Sequence, residues 1–256
     1  MIPKNIHYCW FGKEPMTYLE RSCIQSWREV LPDYKIKCWN EDNFDYAAYD
    51  FSAKAYQFGK FAFVSDVCRL HALFTEGGIY LDTDMLVLKD FDDLLDQDFF
   101  LGEEKAGLVN AAVIGSTRNN PLLSELLERY RQLEFDYESP LDIPTFLTLY
   151  LDRDRVTIYP KEYFYPLSFA QRGMDYKPFV QPETYAVHLW NHSWKNEWHY
   201  LHDKNFARAW SEFKGHIFLG PLTRKKVFFP IQFCKFYLAH LFPALYGKVK
   251  SLEKDR

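Results

Sequence analysis

A chain of 256 residues that is 48% hydrophobic and 19% aromatic can bury the core of one large α/β domain. Its formal charge of −4 is uneven, because residues 1–213 hold 22 basic and 33 acidic residues (net −11) and residues 214–256 hold nine and two (net +7). The acidic body excludes a general nucleic-acid binder. Five scattered cysteines without a C-x-x-C pair exclude a disulfide framework and a cysteine zinc site, and are typical of a reduced cytosolic protein.

Strands and helices are predicted to alternate from the first residues onward. The apolar run at 5–10 predicts a strand, and apolar side chains close to a 3.6-residue period predict a helix over 16–31. The alternating run at 34–39 predicts a second strand. This β-α-β order indicates a largely parallel sheet.

The pattern continues with a helix over 62–76, which is predicted to end at Gly77 and to lead directly into a strand at 78–82. Further predicted elements are a strand at 108–116, a helix opened by Asn120-Pro121 and running to 134, and short strands at 155–159 and 184–190. We therefore expect one α/β domain at about 1–213, followed by a basic, aromatic segment at 214–256.

Two aspartates one residue apart, Asp82 and Asp84, stand where the predicted strand at 78–82 ends. Ligands of open α/β sheets bind outside the carboxyl ends of the strands, and two carboxylates this close repel each other. A Mg²⁺ or Mn²⁺ ion would resolve this repulsion, since it takes oxygen ligands and fills its other positions with water and phosphate. The motif therefore predicts a metal site for a phosphorylated ligand, with two solvated turn aspartates as the alternative.

Asp66 and Arg69 are three residues apart and share one face of the helix predicted over 62–76. A surface salt bridge is the common explanation of such a pair, but this helix leads directly into the strand that ends at Asp82. We therefore expect Asp66 to accept hydrogen bonds from sugar or ribose hydroxyls. Arg69 is expected either to bind a phosphate or to orient a carboxylate of the metal pair.

The segment FVSDVCRLHALFTEGGIYLDTD (63–84) resembles the signature of sugar-nucleotide-dependent glycosyltransferases with a D-x-D motif. These are the bacterial capsule and lipopolysaccharide enzymes grouped with yeast mannosyltransferase-like proteins and, more distantly, the clostridial glucosylating toxins. IPKNIHYCWFG (2–12) and AVHLWNHSW (186–194) resemble the same family.

That resemblance implies a nucleotide-sugar-binding α/β domain of GT-A type with a mostly parallel mixed sheet. It also implies metal-dependent, retaining transfer of a hexose to a saccharide or lipid-linked saccharide in surface polysaccharide synthesis. A UDP-sugar, such as UDP-galactose, is favoured by the resemblance alone, because the residues do not distinguish the base or the sugar.

The family's site residues are carried over by position. Asp84 matches the direct metal ligand, and Asp82 matches the carboxylate that contacts ribose and metal-bound water. Asp66 and Arg69 match the pair that contacts the donor sugar and orders the site. Trp10 matches the tryptophan that stacks on the nucleotide base, with a core tryptophan as its alternative.

Further matches lie later in the chain. Asn110-Ala111 resembles a segment that touches the donor sugar, or it is a polar residue that begins a strand. Ser193 and Trp194 match groups that hydrogen-bond the diphosphate. His188 is the first candidate for a third metal ligand by analogy with other retaining enzymes and His192 the second, although a lone histidine in an apolar strand is commonly a core residue.

The sequence offers no persuasive covalent nucleophile, so a same-face displacement through an oxocarbenium-like ion pair is favoured over a glycosyl-enzyme. Asp142 is a candidate for acceptor contact or, more simply, a helix N-cap. An aspartyl-phosphate-type phosphatase is one alternative function, although Leu86 occupies the position where that motif needs Thr or Val. A non-catalytic sugar-nucleotide-binding assembly protein is the other.

The segment 214–256 mixes basic and aromatic side chains, which suits the headgroup boundary of a membrane. Its alternative is helices that pack against the catalytic domain. The most apolar stretch, 227–246, contains prolines and charged residues, so no transmembrane helix is predicted, and the N-terminus does not resemble a secretion signal. We expect a cytoplasmic protein, peripheral on the inner face of the cell membrane.

Overall fold

The computed structural model describes residues 1–137, 139–191, 197–202, 204–216 and 224–242. Contacts divide the chain into two units, Met1–Asn191 and His192–Arg256. The boundary predicted at residue 213 falls inside a helix of the second unit, Phe206–His216.

The first unit contains a six-stranded mixed sheet. Its strands are β1 (Asn5–Cys9), β2 (Lys35–Trp39), β3 (Gly78–Leu81), β5 (Phe99–Lys105), β6 (Leu108–Ser116) and β7 (Thr157–Tyr159), in the order β2-β1-β3-β6-β5-β7. Three neighbouring pairs are parallel, whereas β6 is antiparallel to both β3 and β5. The predicted mixed, mostly parallel α/β sheet is confirmed, and β6 is the strand that runs against its neighbours.

A second, two-stranded sheet is formed by β4 (Met85–Val87) and β8 (Ala186–His188), which pair antiparallel with Met85 opposite His188. The strand predicted at 184–190 is therefore present but shorter, and it lies outside the main sheet. Neither β4 nor β5 is predicted from the sequence.

Five helices flank the sheet: α1 (Tyr18–Val30), α2 (Asp50–Gln57), α3 (Phe61–Glu76), α4 (Pro121–Gln132) and α5 (Ile143–Tyr150). The C-cap predicted for α3 is confirmed, since the Gly77 N–H donates to the Leu73 carbonyl and Gly77 has a φ of 66°. A Cβ at this position would lie 2.7 Å from the backbone nitrogen of Arg118. Only glycine suits both the left-handed turn and the close approach, so α3 passes into β3 without a loop.

The hydrophobic core has two layers, one on each face of the sheet, and β3 contributes to both. Ile79 and Leu81 pack in the layer that contains Trp27 of α1, whereas Tyr80 packs in the layer that contains Val67 of α3. This alternation follows from the period of two in a strand buried on both faces. The two core layers thereby hold β3, the strand that leads to the D-x-D motif, from both faces of the sheet.

In the second unit the described helices are α6 (Glu197–His202), α7 (Phe206–His216) and α8 (Arg224–Leu241). They bury a small cluster of Leu201, Ala209, Phe213 and Phe229. Another part of α8 carries exposed apolar side chains, namely Val227, Ile231, Leu238 and Leu241. Within the described ranges, no helix has the length and apolarity needed to cross a membrane.

Candidate active site

Asp82 directly follows β3, and its N–H donates to the Ala112 carbonyl of the antiparallel strand β6 at 2.9 Å. One carboxylate oxygen, Oδ1, accepts a hydrogen bond from the Tyr80 hydroxyl at 2.9 Å and lies 3.1 Å from Arg69 Nη1. The side chain remains 29% exposed. Asp82 is therefore oriented from inside the protein and accessible to a ligand from outside.

Arg69 is buried beside the D-x-D motif. Its guanidinium contacts Asp66 Oδ1 at 2.9 Å and the Ala111 carbonyl at 2.8 Å, in addition to Asp82, and it lies 4.5 Å from the centre of the Tyr80 ring. Burial lowers the pKa of Arg69, but the nearby Asp82, Tyr80 and Asp66 outweigh it and raise the pKa well above its usual value. These contacts orient the carboxylates of Asp66 and Asp82, and the binding of a phosphate by Arg69 stays a prediction.

Asp66 is buried together with Arg69, so this ion pair is not a surface salt bridge. Burial raises the pKa of Asp66 to about 7, more than Arg69 lowers it, and the charges of Asp82 and Asp142 also raise it. Near neutral pH the carboxyl group can therefore either accept or donate a hydrogen bond. Such a group can contact a sugar hydroxyl in either direction.

Asp84 is buried and meets His188 because β4 and β8 pair in the two-stranded sheet. Asp84 Oδ2 lies 3.3 Å from His188 Nε2 and accepts a hydrogen bond from the Asn191 N–H at 2.7 Å. Burial alone would raise the pKa of Asp84 and lower that of His188. Their mutual attraction outweighs burial, so the pKa of Asp84 is lowered and that of His188 is raised.

Asp82, Asp84 and His188 each offer a ligand atom within 4.8 Å of the others, the one such cluster among the described residues. Nδ1 of His188 is buried and has no hydrogen-bond partner in the described part of the chain. The nitrogen that faces Asp84 is the other one, Nε2, so it is Nε2 that stands next to the carboxylate of the cluster. Two carboxylates and an imidazole would fill part of the coordination shell of a Mn²⁺ or Mg²⁺ ion and leave its other positions for phosphate and water.

The chain turns sharply after His188. Trp190 has a left-handed φ of 59°, its ring centre lies 3.9 Å from that of His188, and its Nε1–H donates to the Leu167 carbonyl at 2.7 Å. The turn brings the Asn191 N–H to Asp84, at the start of the segment predicted to bind diphosphate. Ser193, Trp194 and His192 lie outside the described residues.

Asn110 and Ala111 lie next to the Asp66–Arg69 pair on β6, at a register shift between β5 and β6. The Ala111 carbonyl accepts from Arg69, while Asn110 Oδ1 accepts from the Ala112 N–H at 2.8 Å and Nδ2 donates to Glu104 at 3.0 Å. The side chain of Asn110 is therefore engaged in shaping β6. Contact of this segment with a donor sugar stays a prediction.

Trp10 follows β1, which is parallel to β3, so it lies at the same carboxyl edge of the sheet as Asp82. Its ring is partly buried and donates from Nε1 to the Glu14 carbonyl at 2.9 Å. Among the described residues, no hydrogen bond joins Trp10 to the D-x-D aspartates. Its stacking on a base stays a prediction.

Sequence reasoning did not find three residues that support the site. Tyr80 and Asn191 hydrogen-bond the two motif aspartates, and Glu20 hydrogen-bonds the Asn191 side chain. A local signal existed for Glu20, since Thr17-x-x-Glu20 is a capping-box pattern. Asp142 is the N-cap of α5 and accepts from the Thr145 N–H at 2.8 Å, as the simpler prediction had it.

Residues 18–101 match the family model described as the glycosyltransferase sugar-binding region containing the DXD motif. Inositol phosphoceramide mannosyltransferase 3 of Schizosaccharomyces pombe is 27% identical over 146 residues, which cover 54% of this chain and 40% of that protein. Lactosylceramide 4-alpha-galactosyltransferase of Rattus norvegicus is 30% identical over 149 residues, covering 50% of this chain and 40% of the relative. The chain therefore spans about two fifths of the length of these relatives.

Among solved structures, the PaToxG glycosyltransferase aligns with a TM-score of 0.48 and 21% identity over 60% of this chain and 70% of its own. The galactosyltransferase LgtC aligns with a TM-score of 0.45 and 14% identity, covering 81% and 96% respectively.

Proposed function

We propose that this protein transfers a hexose from a nucleotide sugar in a metal-dependent, retaining reaction. The proposal starts from the match of residues 18–101 to the glycosyltransferase sugar-binding region with the DXD motif. The observation that carries this proposal is the cluster of Asp82, Asp84 and His188 beside the buried Asp66–Arg69 pair. A UDP-hexose is the proposed donor, with UDP-galactose preferred. The family match supports a transferase over the phosphatase and the assembly protein.

Asp82, Asp84 and His188 would hold the Mn²⁺ or Mg²⁺ ion, which when bound supplies positive charge against the leaving diphosphate. The protein contributes a rigid arrangement of these ligands, because Asp82 is fixed by Arg69 and Tyr80, and Asp84 by the Asn191 N–H. Preorganised groups of this kind need not reorganise as charge develops.

Asp66 would orient the donor sugar through its hydroxyls, because its carboxyl group can accept or donate near neutral pH. Arg69 keeps that carboxyl and the Ala111 carbonyl in place. With the donor fixed in this way, the departing phosphate is the proposed base for the acceptor hydroxyl in a same-face displacement. The anomeric configuration of the product, measured by NMR, tests the retention.

Turnover with Mn²⁺ and a panel of nucleotide sugars, compared with turnover after chelation, tests the activity. Asp84→Asn is expected to remove most turnover, because it replaces a charged ligand with a neutral one of the same shape. Asp96→Asn is the matched control, since Asp96 is exposed. Unchanged turnover of the Asp84 variant, or full turnover in chelator, would contradict the metal-dependent proposal.

The donor base is tested by thermal unfolding with UDP, GDP and other nucleoside diphosphates, since a ligand that binds only the native state raises the midpoint. UDP is expected to protect most in the presence of Mn²⁺. Equal protection by all of them, or by none, would contradict a specific uridine site.

We propose a lipid-linked saccharide, as used in surface polysaccharide synthesis, as the acceptor and peripheral contact with a membrane as the place of transfer. The two curated relatives named above are, by name, enzymes that act on ceramide lipids. Exposed apolar residues of α8 and the +7 charge of residues 214–256 match an anionic bilayer surface. The cytoplasmic location stays a prediction.

Sedimentation with anionic and neutral liposomes at low and high salt tests this contact. Leu238→Glu/Leu241→Glu is expected to weaken binding to anionic vesicles, because both side chains are exposed on α8. Met174→Glu is the control, an equally exposed apolar residue of the first unit. Failure of the unmodified protein to bind anionic vesicles at low salt would overturn the membrane proposal without affecting the transferase assignment.

A further inference from the structure

Glu20 is a buried carboxylate in the first turn of α1, and the two oxygens of its side chain have different partners. Oε2 accepts from the hydroxyl of Thr17, the N-cap residue of the same helix. Oε1 accepts from the side-chain amide of Asn191, which is 171 residues away in the sequence. The first contact is local, whereas the second joins α1 to the end of the first unit.

The local structure of α1 accounts for only the first of these contacts. In a capping box the carboxylate three positions after the N-cap accepts from the backbone N–H of the N-cap residue, whereas here Oε2 accepts from the Thr17 hydroxyl, and this contact uses one oxygen only. Burying the whole carboxylate is costly unless its other oxygen is also hydrogen-bonded. The contact with Asn191 meets that need, and it also places the side chain of Asn191.

Asn191 connects Glu20 to the candidate metal site. Its backbone N–H donates to Oδ2 of Asp84 at 2.7 Å, and the same oxygen lies 3.3 Å from His188 Nε2. The preceding residue, Trp190, has a left-handed φ that non-glycine residues seldom adopt. Such a turn persists when its surroundings hold it in place, and the Glu20–Asn191 contact fixes the end of this turn.

We infer that Glu20 is a positioning residue that holds Asn191, and through it the carboxylate of Asp84, in the orientation needed to bind the divalent cation. This inference rests on the proposed function. Partners outside the ligand shell of a metal typically change its affinity 10- to 100-fold when they are removed. Because Glu20 acts through Asn191, we expect the lower end of this range.

The affinity of the full chain for Mn²⁺, measured from the electron paramagnetic resonance signal of free Mn²⁺, tests the inference. Glu20→Leu is expected to weaken Mn²⁺ binding about tenfold. Glu20→Gln is expected to restore most of the affinity, because an amide oxygen can still accept from Asn191. Glu29→Leu is the matched control, since Glu29 is on the same helix and, within the described residues, hydrogen-bonds Gln25 and not Asn191.

A second pair of variants separates positioning from helix capping. Thr17→Ala removes the cap and leaves Oε1 of Glu20 with Asn191, so it is expected to lower the unfolding midpoint while Mn²⁺ affinity is kept. Asn191→Ala leaves α1 intact and is expected to weaken Mn²⁺ binding as much as Glu20→Leu does. The double variant Glu20→Leu/Asn191→Ala is expected to lose no more Mn²⁺ affinity than either single variant, because these two side chains act as a unit.

Mn²⁺ affinity within twofold of the unmodified chain in Asn191→Ala, or additive losses in the double variant, would overturn the inference. If Glu20→Leu fails to fold, Asn191→Ala and Glu20→Gln still decide. A different result marks failure of the proposed function itself: no Mn²⁺ binding by the unmodified chain, or equal binding by Asp84→Asn. That result removes the metal site and the inference with it.

Discussion

The surroundings of two buried histidines, His7 and His188, differ in how the ring nitrogens are used. In His7, Nδ1 accepts from the Trp39 indole N–H at 3.1 Å and Nε2 lies 2.8 Å from the Gly77 carbonyl. In His188, Nε2 faces Asp84 and Nδ1 has no hydrogen-bond partner within the described residues.

The pKa values of the two rings are also shifted in opposite directions. Burial lowers the pKa of His7, and the neutral ring both accepts from Trp39 and donates to Gly77. The pKa of His188 is raised instead, because Asp84 outweighs burial. A satisfied neutral histidine fits a structural role, whereas a buried histidine whose Nε2 faces a carboxylate of the D-x-D motif fits a ligand site.

The largest expected effect concerns His188. We expect His188→Gln to lower turnover with Mn²⁺ by about 1,000-fold, or about 4 kcal/mol of activation free energy, because a metal ligand is lost. The glutamine can still donate to Asp84, so the free energy of unfolding should change by no more than about 1 kcal/mol. Turnover and urea unfolding are measured on the same sample. A variant with a lowered free energy of unfolding and normal turnover would show that His188 has the structural role and is not a metal ligand.

The next effect concerns His7. We expect His7→Leu to lower the free energy of unfolding by about 3 kcal/mol, because it leaves the Gly77 carbonyl and the Trp39 N–H buried without partners. Turnover per folded molecule should be retained. His71→Leu is the matched control in urea unfolding, since His71 also packs against the Trp39 ring, at 5.9 Å, through ring contacts. Equal losses in both variants would mean that packing and not hydrogen bonding sets the stability.

The two parts of the candidate metal site differ in how far the sequence could predict them. The helix α3, its Gly77 cap, the strand β3 and the carboxylates after it are all specified within residues 61–84, so local spacing was enough to predict them. His188 reaches the site through the pairing of β8 with β4, a strand of three residues. Three residues are too few to show a period, so the partner of β8 could not be predicted.

Contacts over long sequence separations were out of reach for the same reason. Asn191 hydrogen-bonds Asp84 across 107 residues, and Arg69 reaches the Ala111 carbonyl across 42. Local periodicity carries no information about such pairs. The position of the D-x-D aspartates at the end of β3 could therefore be predicted from the sequence, whereas the groups that orient them became evident only from the fold.

A smaller effect is expected at Asp142, whose carboxylate, like the ring of His7, has a structural partner. Asp142→Ala should lower the free energy of unfolding by about 1 kcal/mol through loss of the α5 N-cap. Asp142→Ser should restore most of this, since serine is also a good N-cap. Steady-state kinetics check the function: an unchanged acceptor KM is expected, and a rise of several fold with Asp142→Ser would instead support acceptor contact.

The smallest expected effect is the pH dependence contributed by His7. Because its pKa is lowered in the folded protein, the unfolded chain binds more protons below pH 6.5, and the stability that the neutral ring contributes is lost as pH falls. Asp66 acts in the opposite direction, since its raised pKa of about 7 stabilises the fold as pH falls. The contribution of His7 is therefore isolated by comparing the unmodified chain with His7→Leu, because both contain Asp66. The difference in unfolding free energy between them should narrow by up to about 0.8 kcal/mol from pH 8 to pH 6, and a difference that stays constant or widens in urea unfolding would show that His7 is not held neutral by the fold.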